Sequence, residues 1–126
     1  MTVPPAGTTE RQPDGSLYVL PQPPAAHELI ERLARGDGVV IERIVSTGQG
    51  TPVGEWLEQD RDEWVVLLEG EAALAFDDGS RLQMRSGDHV LIPAGERHRV
   101  EWTRKHPPCV WLAVHAAGLT TTGGMP

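Results

Sequence analysis

The chain has 126 residues, of which 39% are hydrophobic, so it can bury one core but not two. Its formal net charge of −7 argues against a nucleic acid or an anionic membrane as partner, because both require a basic surface. The single cysteine, Cys109, excludes an intrachain disulfide and a cysteine-rich zinc site. The segment MTVPPAGTTERQPDGS shows no apolar run after a basic start, and nowhere do about twenty apolar residues follow each other. We therefore expect a soluble, cytoplasmic protein whose partner is a small molecule or another protein.

The two ends of the chain are rich in Pro, Gly and Thr and contain little that a core could bury. Residues 1–16 are therefore predicted to form a flexible N-terminal segment, and residues 118–126 a flexible tail. A single domain is predicted over residues 17–117.

Near the start of this domain, the segment PPAAHELIERLARGDG shows a helical pattern. Leu29, Ile30 and Leu33 fall on one face of a helix, with prolines before them and Gly36 after them. The pattern predicts a short helix over about residues 25–35.

After residue 38 the sequence changes to short β-rich runs separated by Gly, Pro and Asp. The runs are VVIERIVS, EWVVLLEGEAALAF, RLQM, HVLIP, HRVEW and CVWLAVH. Runs of this length predict an all-β sandwich or barrel. The tetrapeptide DDGS predicts a hairpin turn in which Asp78 and Gly79 are suited to positive φ angles.

One stretch of this β region resembles the first signature motif of the cupin superfamily. Gly50, Glu63 and Gly70 stand in the register of that motif. Trp56 and Glu58 occupy the places where the motif has two histidines. The sequence thus keeps the frame of the motif but lacks both histidines.

A second stretch, GDHVLIPAGERHRVEW, resembles the second cupin motif more fully. Gly87, Pro93, Gly95 and His98 fall in place, and Trp102 stands where the motif has an asparagine. The wider run VVIERIVSTGQGTPVGEWLEQDRDEWVVLLEGEAAL, with WLAVH near the end, also resembles small bacterial single-domain cupins of unassigned function. The resemblance implies an antiparallel β-barrel of the jelly-roll type, with the predicted helix outside it, and a homodimer.

The alternation of side chains along a strand predicts which of these residues face inward. His98, Val100 and Trp102 share one face, and their apolar members indicate that this face is buried. For Glu63 both strand faces are apolar, so periodicity leaves its direction open. The resemblance places Glu63 inside the barrel.

In metal-binding cupins the corresponding positions hold one divalent metal ion. Residue by residue, this implies Glu58, Glu63 and His98 as ligands, with Gln59 or His115 as a fourth. Such an oxygen-rich set favours Mn, Fe or Zn. The alternatives are a solvated turn acid at Glu58, a strand-end carboxylate at Glu63, a core histidine at His98 and a rim histidine at His115.

The sequence leaves three functions open. The first is a small-molecule enzyme of oxygenase, isomerase or lyase type that depends on this metal. The second is a metal-free enzyme in which Glu63 and His98 act as acid and base. The third is a non-catalytic module that binds a small ligand. Trp56 and Trp102 would make the pocket aromatic and suited to a planar or apolar ligand, or would fill the barrel.

Overall fold

The computed structural model describes residues 7–122, which form eight β-strands in two antiparallel sheets. The strands are β1 Leu29–Gly36, β2 Val39–Ser46, β3 Asp62–Glu69, β4 Glu71–Phe76, β5 Arg81–Arg85, β6 His89–Ile92, β7 His98–Thr103 and β8 Cys109–Ala116. One sheet has the order β1-β2-β8-β3-β6 and the other the order β5-β4-β7. This is the predicted all-β jelly roll. The predicted flexible ends lie partly outside the described residues, at positions 1–6 and 123–126.

The predicted helix over residues 25–35 is wrong. The segment leads into β1, and residues 7–122 contain no helix. β1 pairs with β2 through a tight turn at Asp37 and Gly38, where Gly38 has a φ of 73°. Such an Asp-Gly pair is a strong hairpin signal. Pairing with a β-branched strand overrides the weak helical pattern of β1, because helix propensity is only a weak prior.

The turn predicted at DDGS is confirmed as the hairpin between β4 and β5. Gly79 has a φ of 91°, whereas Asp78 does not adopt a positive φ. The Asp78 carboxylate instead accepts hydrogen bonds from the backbone amide and the hydroxyl of Ser80, at 2.8 and 2.6 Å. Asp78 therefore supports the turn through its side chain.

The core lies between the two sheets. Its buried members are Val65, Leu67, Ala72, Leu74, Met84, Ile92, Cys109, Trp111 and Ala113. On β3, Glu63 shares the inner face with Val65 and Leu67, and Trp64 lies on the outer face. The inner face of β3 thus carries one carboxyl group among apolar side chains.

The outer face of the five-stranded sheet is partly covered by the chain that precedes β1. The buried Arg43 guanidinium forms an ion pair with Glu31 and donates hydrogen bonds to the carbonyls of Leu17 and Val19, at 3.0 and 2.7 Å. These bonds hold the N-terminal segment against β2. Across residues 7–122, nothing forms a helix long and apolar enough to span a membrane.

Candidate functional site

A cavity of about 220 Å³ lies inside the barrel and is lined by both sheets. Its apolar wall consists of Ile30, Ile44, Leu57, Val65, Leu74, Ile92, Val100 and Trp111. Its polar lining consists of Glu28, Glu42, Gln59, Glu63, His98 and His115. Ile30 and Leu57 are 56% and 40% exposed, so they lie at the opening of the cavity. A small pocket with apolar walls and a few polar groups is the usual form of a ligand site.

Glu63 is fixed by the pairing of β3 with its two neighbouring strands. Its direct partners are Ile92 on β6 and His115 on β8. Directly paired residues project from the same face of a sheet, so Glu63 and His115 both reach the cavity. Their Oε2 and Nε2 atoms lie 3.8 Å apart. Glu63 is only 8% exposed.

His98 begins β7 and lies on the other side of Glu63. Its backbone forms a two-bond bridge with Leu57, at 2.7 and 3.0 Å, and its Nδ1 lies 3.0 Å from the carbonyl oxygen of Glu96. A carbonyl can only accept a hydrogen bond, so Nδ1 carries a hydrogen. In the neutral imidazole, Nε2 is therefore unprotonated, and it lies 3.8 Å from Oε1 of Glu63.

Glu42 extends this arrangement into a row of four ionisable side chains. The Nε2 of His115 lies 3.0 Å from Oε1 of Glu42, within hydrogen-bond distance. The row therefore runs Glu42, His115, Glu63, His98. Burial raises the pKa of the Glu63 carboxyl, while the charges of His115 and His98 act in the opposite direction.

The predicted pocket residues fall into two groups. Gln59 and His115 line the cavity. Glu58 is exposed and lines only an outer depression that adjoins the cavity. Trp56 lies outside the cavity, with the Arg97 guanidinium 5.6 Å from its ring centroid. The missing motif histidines are thus not replaced by Trp56 and Glu58 inside the barrel.

Trp102 also lies away from the cavity, because β7 contains a β-bulge. Its pairing with β4 skips one residue between Val100 and Trp102, and Glu101 is the extra residue. Side chains after a bulge point to the opposite face from the one that alternation predicts. Trp102 therefore shares the outward face of its partner Ala73. The prediction that it lies on the same face as His98 is wrong.

Sequence reasoning missed Glu28, Glu42 and Trp111 as cavity residues. The buried Trp111 donates a hydrogen bond from its indole nitrogen to the Ser46 hydroxyl at 3.1 Å, and this hydroxyl lies 3.3 Å from Glu28. Burial raises the pKa of the Glu28 carboxyl. The sequence could have indicated Glu42, because Glu42 stands two residues before Ile44 in the strand VVIERIVS and therefore lies on the same face. Glu28 gave no such signal, because its segment was predicted to be helical.

The predicted metal ligands Glu58, Glu63 and His98 do not converge. Among residues 7–122, no group of three His, Cys, Asp or Glu side chains is placed to hold a metal ion. Glu63 instead separates two imidazoles, which approach its two different carboxylate oxygens at 3.8 Å each. Ligands of a transition metal lie about 2.0 to 2.3 Å from one shared centre. The set of ligands that the sequence predicts, which includes the exposed Glu58, therefore does not surround one centre.

The double-sheet barrel with an ionisable interior defines a jelly-roll protein of the cupin type. The family model of the cupin domain matches residues 43–115, which is more than half of the chain. The chain therefore belongs to the cupin superfamily, as the two motifs indicated.

Solved structures of similar fold include a protein from Ralstonia eutropha that is provisionally named a mannose-6-phosphate isomerase. It is 38% identical, with a TM-score of 0.79, and the match covers 85% of this chain and 100% of that one. A cupin superfamily protein from Desulfitobacterium hafniense is 23% identical, with a TM-score of 0.61 and coverage of 82% and 99%. A DMSP lyase from Ruegeria pomeroyi is 22% identical, with a TM-score of 0.55 and coverage of 69% and 42%. No curated protein matches the chain.

Proposed function

We propose that this cupin is a small-molecule enzyme that moves a proton within its barrel cavity, with His98 as the base and Glu63 as the acid. The observation that supports this function is the facing pair of His98 Nε2 and Glu63 Oε1, 3.8 Å apart inside the cavity. This distance is too long for a hydrogen bond, so both groups are available to a substrate. An acid and a base positioned on one substrate are the requirement for general acid–base catalysis.

In this mechanism the neutral imidazole of His98 accepts a proton from a carbon atom of the substrate. The electron pair of the broken C–H bond moves into a neighbouring carbonyl or expels a leaving group. Glu63, whose pKa is raised by burial, donates a proton to the developing anion. The result is a reaction of isomerase or lyase type.

His115 and Glu42 support this pair. The hydrogen bond from His115 to Glu42 fixes the direction of the imidazole, whose Nε2 also lies 3.8 Å from Glu63. His115 is therefore a positioning residue that stabilises the ionised form of Glu63 after proton donation. The isomerase name of the Ralstonia protein is in line with such a reaction.

A hydrogen-exchange assay tests the proposal without a known substrate. The purified protein is incubated in heavy water and EDTA with a panel of small carbonyl and hydroxyl compounds, and NMR measures deuterium incorporation. We expect the wild-type protein to catalyse exchange on at least one compound. His98→Gln and Glu63→Gln should each lower the rate by about 100-fold or more. His27→Gln, at an exposed position outside the cavity, is the matched control.

Two outcomes would overturn the proposal. If EDTA abolishes exchange and one ion of Mn, Fe or Zn per chain restores it, the reaction depends on a metal held by Glu63, His98 and His115, and these side chains rearrange to bind it. If compounds bind and are recovered without exchange, the cavity belongs to a ligand-binding module. Elemental analysis measures the metal content of the purified protein and of the His98→Gln variant, and this content distinguishes the first outcome from the second.

A further inference from the structure

The cavity has an unusual balance of charge. Three carboxyl groups line it, those of Glu28, Glu42 and Glu63, and no Lys or Arg is among its lining residues in the described part of the chain. Two surface acids, Glu101 and Glu71, form ion pairs with Arg81 and Arg104. The three carboxyl groups of the cavity have no such guanidinium or ammonium partner among the residues that line it.

The polar atoms that face the cavity are mostly hydrogen-bond acceptors. Carboxylates accept only, and the unprotonated Nε2 of His98 also accepts. His98 is 3% exposed, and within residues 7–122 its Nε2 makes no hydrogen bond. His98 Nε2 is open to the cavity, so a ligand or water there can donate a hydrogen bond to it. A ligand rich in N–H donors can donate hydrogen bonds to these acceptor atoms.

The remainder of the lining favours a ligand that is partly apolar. Seven aliphatic side chains and Trp111 surround the acids, and the space is only about 220 Å³. An aromatic ring in the wall also attracts a cation. Arg32 and Arg61 line the outer depression and not the cavity. A phosphate group inside the cavity would face three carboxyl groups without a Lys or Arg to offset them.

We propose that the cavity binds a small protonated alkylamine, with its ammonium group among Glu42, Glu63 and His98 Nε2 and its alkyl group against the aliphatic wall. This inference names a ligand class for the site of the proposed function, and it is tested by binding alone. Charge-assisted hydrogen bonds from an ammonium group to carboxylates are among the strong hydrogen bonds in proteins.

Three probes with the same hydrocarbon group test the inference: isopentylamine, isopentanol and isovalerate, which are cationic, neutral and anionic at pH 7. Isothermal titration calorimetry on the full chain should show the amine binding at least about ten-fold more tightly than the alcohol, and no binding of the acid. Glu42→Gln should weaken amine binding by about ten-fold, clearly more than it weakens alcohol binding. Glu55→Gln, at an exposed position outside the cavity, should change neither.

Equal binding of amine and alcohol, tighter binding of isovalerate, or no binding of the amine overturns the inference. These results are separable from a failure of the proposed function. Selective amine binding without hydrogen exchange on any compound supports the ligand class and contradicts the catalytic proposal. Hydrogen exchange on a neutral compound without amine binding supports the catalytic proposal and contradicts the ligand class.

Discussion

At the scale of one residue, the carboxyl group of Glu63 serves the proposed site but lowers the stability of the fold. Its carboxyl group is buried against apolar side chains, and this burial raises its pKa above the value in the unfolded chain. A raised pKa means that the folded state binds the proton more tightly. The stabilisation that comes from this tighter proton binding is complete at a pH below the pKa of Glu63 in the unfolded chain. It is lost as the pH rises through the pKa of Glu63 in the folded protein. Ionised Glu63 therefore destabilises the fold at neutral and alkaline pH.

Replacing Glu63 by a neutral side chain of the same shape should remove this cost. We expect Glu63→Gln to raise the free energy of unfolding at pH 8 by about 0.5 to 2 kcal/mol, measured by urea denaturation. The gain should shrink as the pH falls toward 4, where the native carboxyl is increasingly protonated. Glu58→Gln, at an exposed position, is the control and should change stability little. A variant less stable than wild type at pH 8 would contradict this account of Glu63.

At the scale of an element, the glycines of the motif frame mark places where the backbone makes a close approach or a tight turn. A Cβ atom on Gly70 would lie 2.6 Å from Cys109 Sγ and 3.0 Å from its Cα, and Gly70 has a φ of 110°. A Cβ on Gly50 would lie 2.9 Å from the carbonyl oxygen of Glu101. Gly87 also has a positive φ, of 93°, but nothing lies within 4 Å of its Cβ position. The first two glycines therefore serve close packing, and Gly87 serves turn geometry.

These differences predict a graded series of stabilities. Gly70→Ala should lower the free energy of unfolding by about 2 to 4 kcal/mol, because it combines a clash with an unfavourable φ. Gly87→Ala should cost about 1 to 2 kcal/mol from the φ angle alone. Gly36→Ala has open space and no positive φ, so it should change stability by at most about 0.5 kcal/mol. Urea denaturation followed by circular dichroism measures all three. A Gly70→Ala variant as stable as Gly87→Ala would show that Cys109 moves aside at little cost.

The strands after residue 38 were predictable, because β-branched runs between Gly, Pro and Asp turns leave few alternatives. Three features were not predictable from local pattern. β1 was missed because its pairing partner, and not its own periodicity, makes it a strand. The direction of Trp102 was missed because a bulge shifts the alternation without a sequence signal. The positions of Glu28 and Glu58 depend on how loops pack against the barrel, which spacing along the chain does not specify.

At the scale of the whole molecule, part of the outer face of the five-stranded sheet is apolar, away from the Arg43–Glu31 ion pair. Direct pairings place five half-buried side chains on this face: Ile41, Trp64, Leu91, Leu112 and Val114. Trp64 lies next to His89, with ring centroids 5.5 Å apart, and borders a depression that also includes residues 119–122. A contiguous apolar patch on a small protein marks an interaction surface. We propose this patch as the interface of the homodimer that the sequence resemblance implies.

If two copies associate through this face, sedimentation velocity should give twice the chain mass of 13.7 kDa. Trp64→Glu introduces a charge into the apolar patch, and a buried unpaired charge strongly opposes association, so this variant should sediment as a single chain. Trp102→Glu is the matched control, because Trp102 is half-buried on the outer face of the three-stranded sheet. It should leave the dimer intact. A dimer broken by Trp102→Glu and kept by Trp64→Glu would assign the interface to the other sheet, and a wild-type mass of one chain would contradict the homodimer.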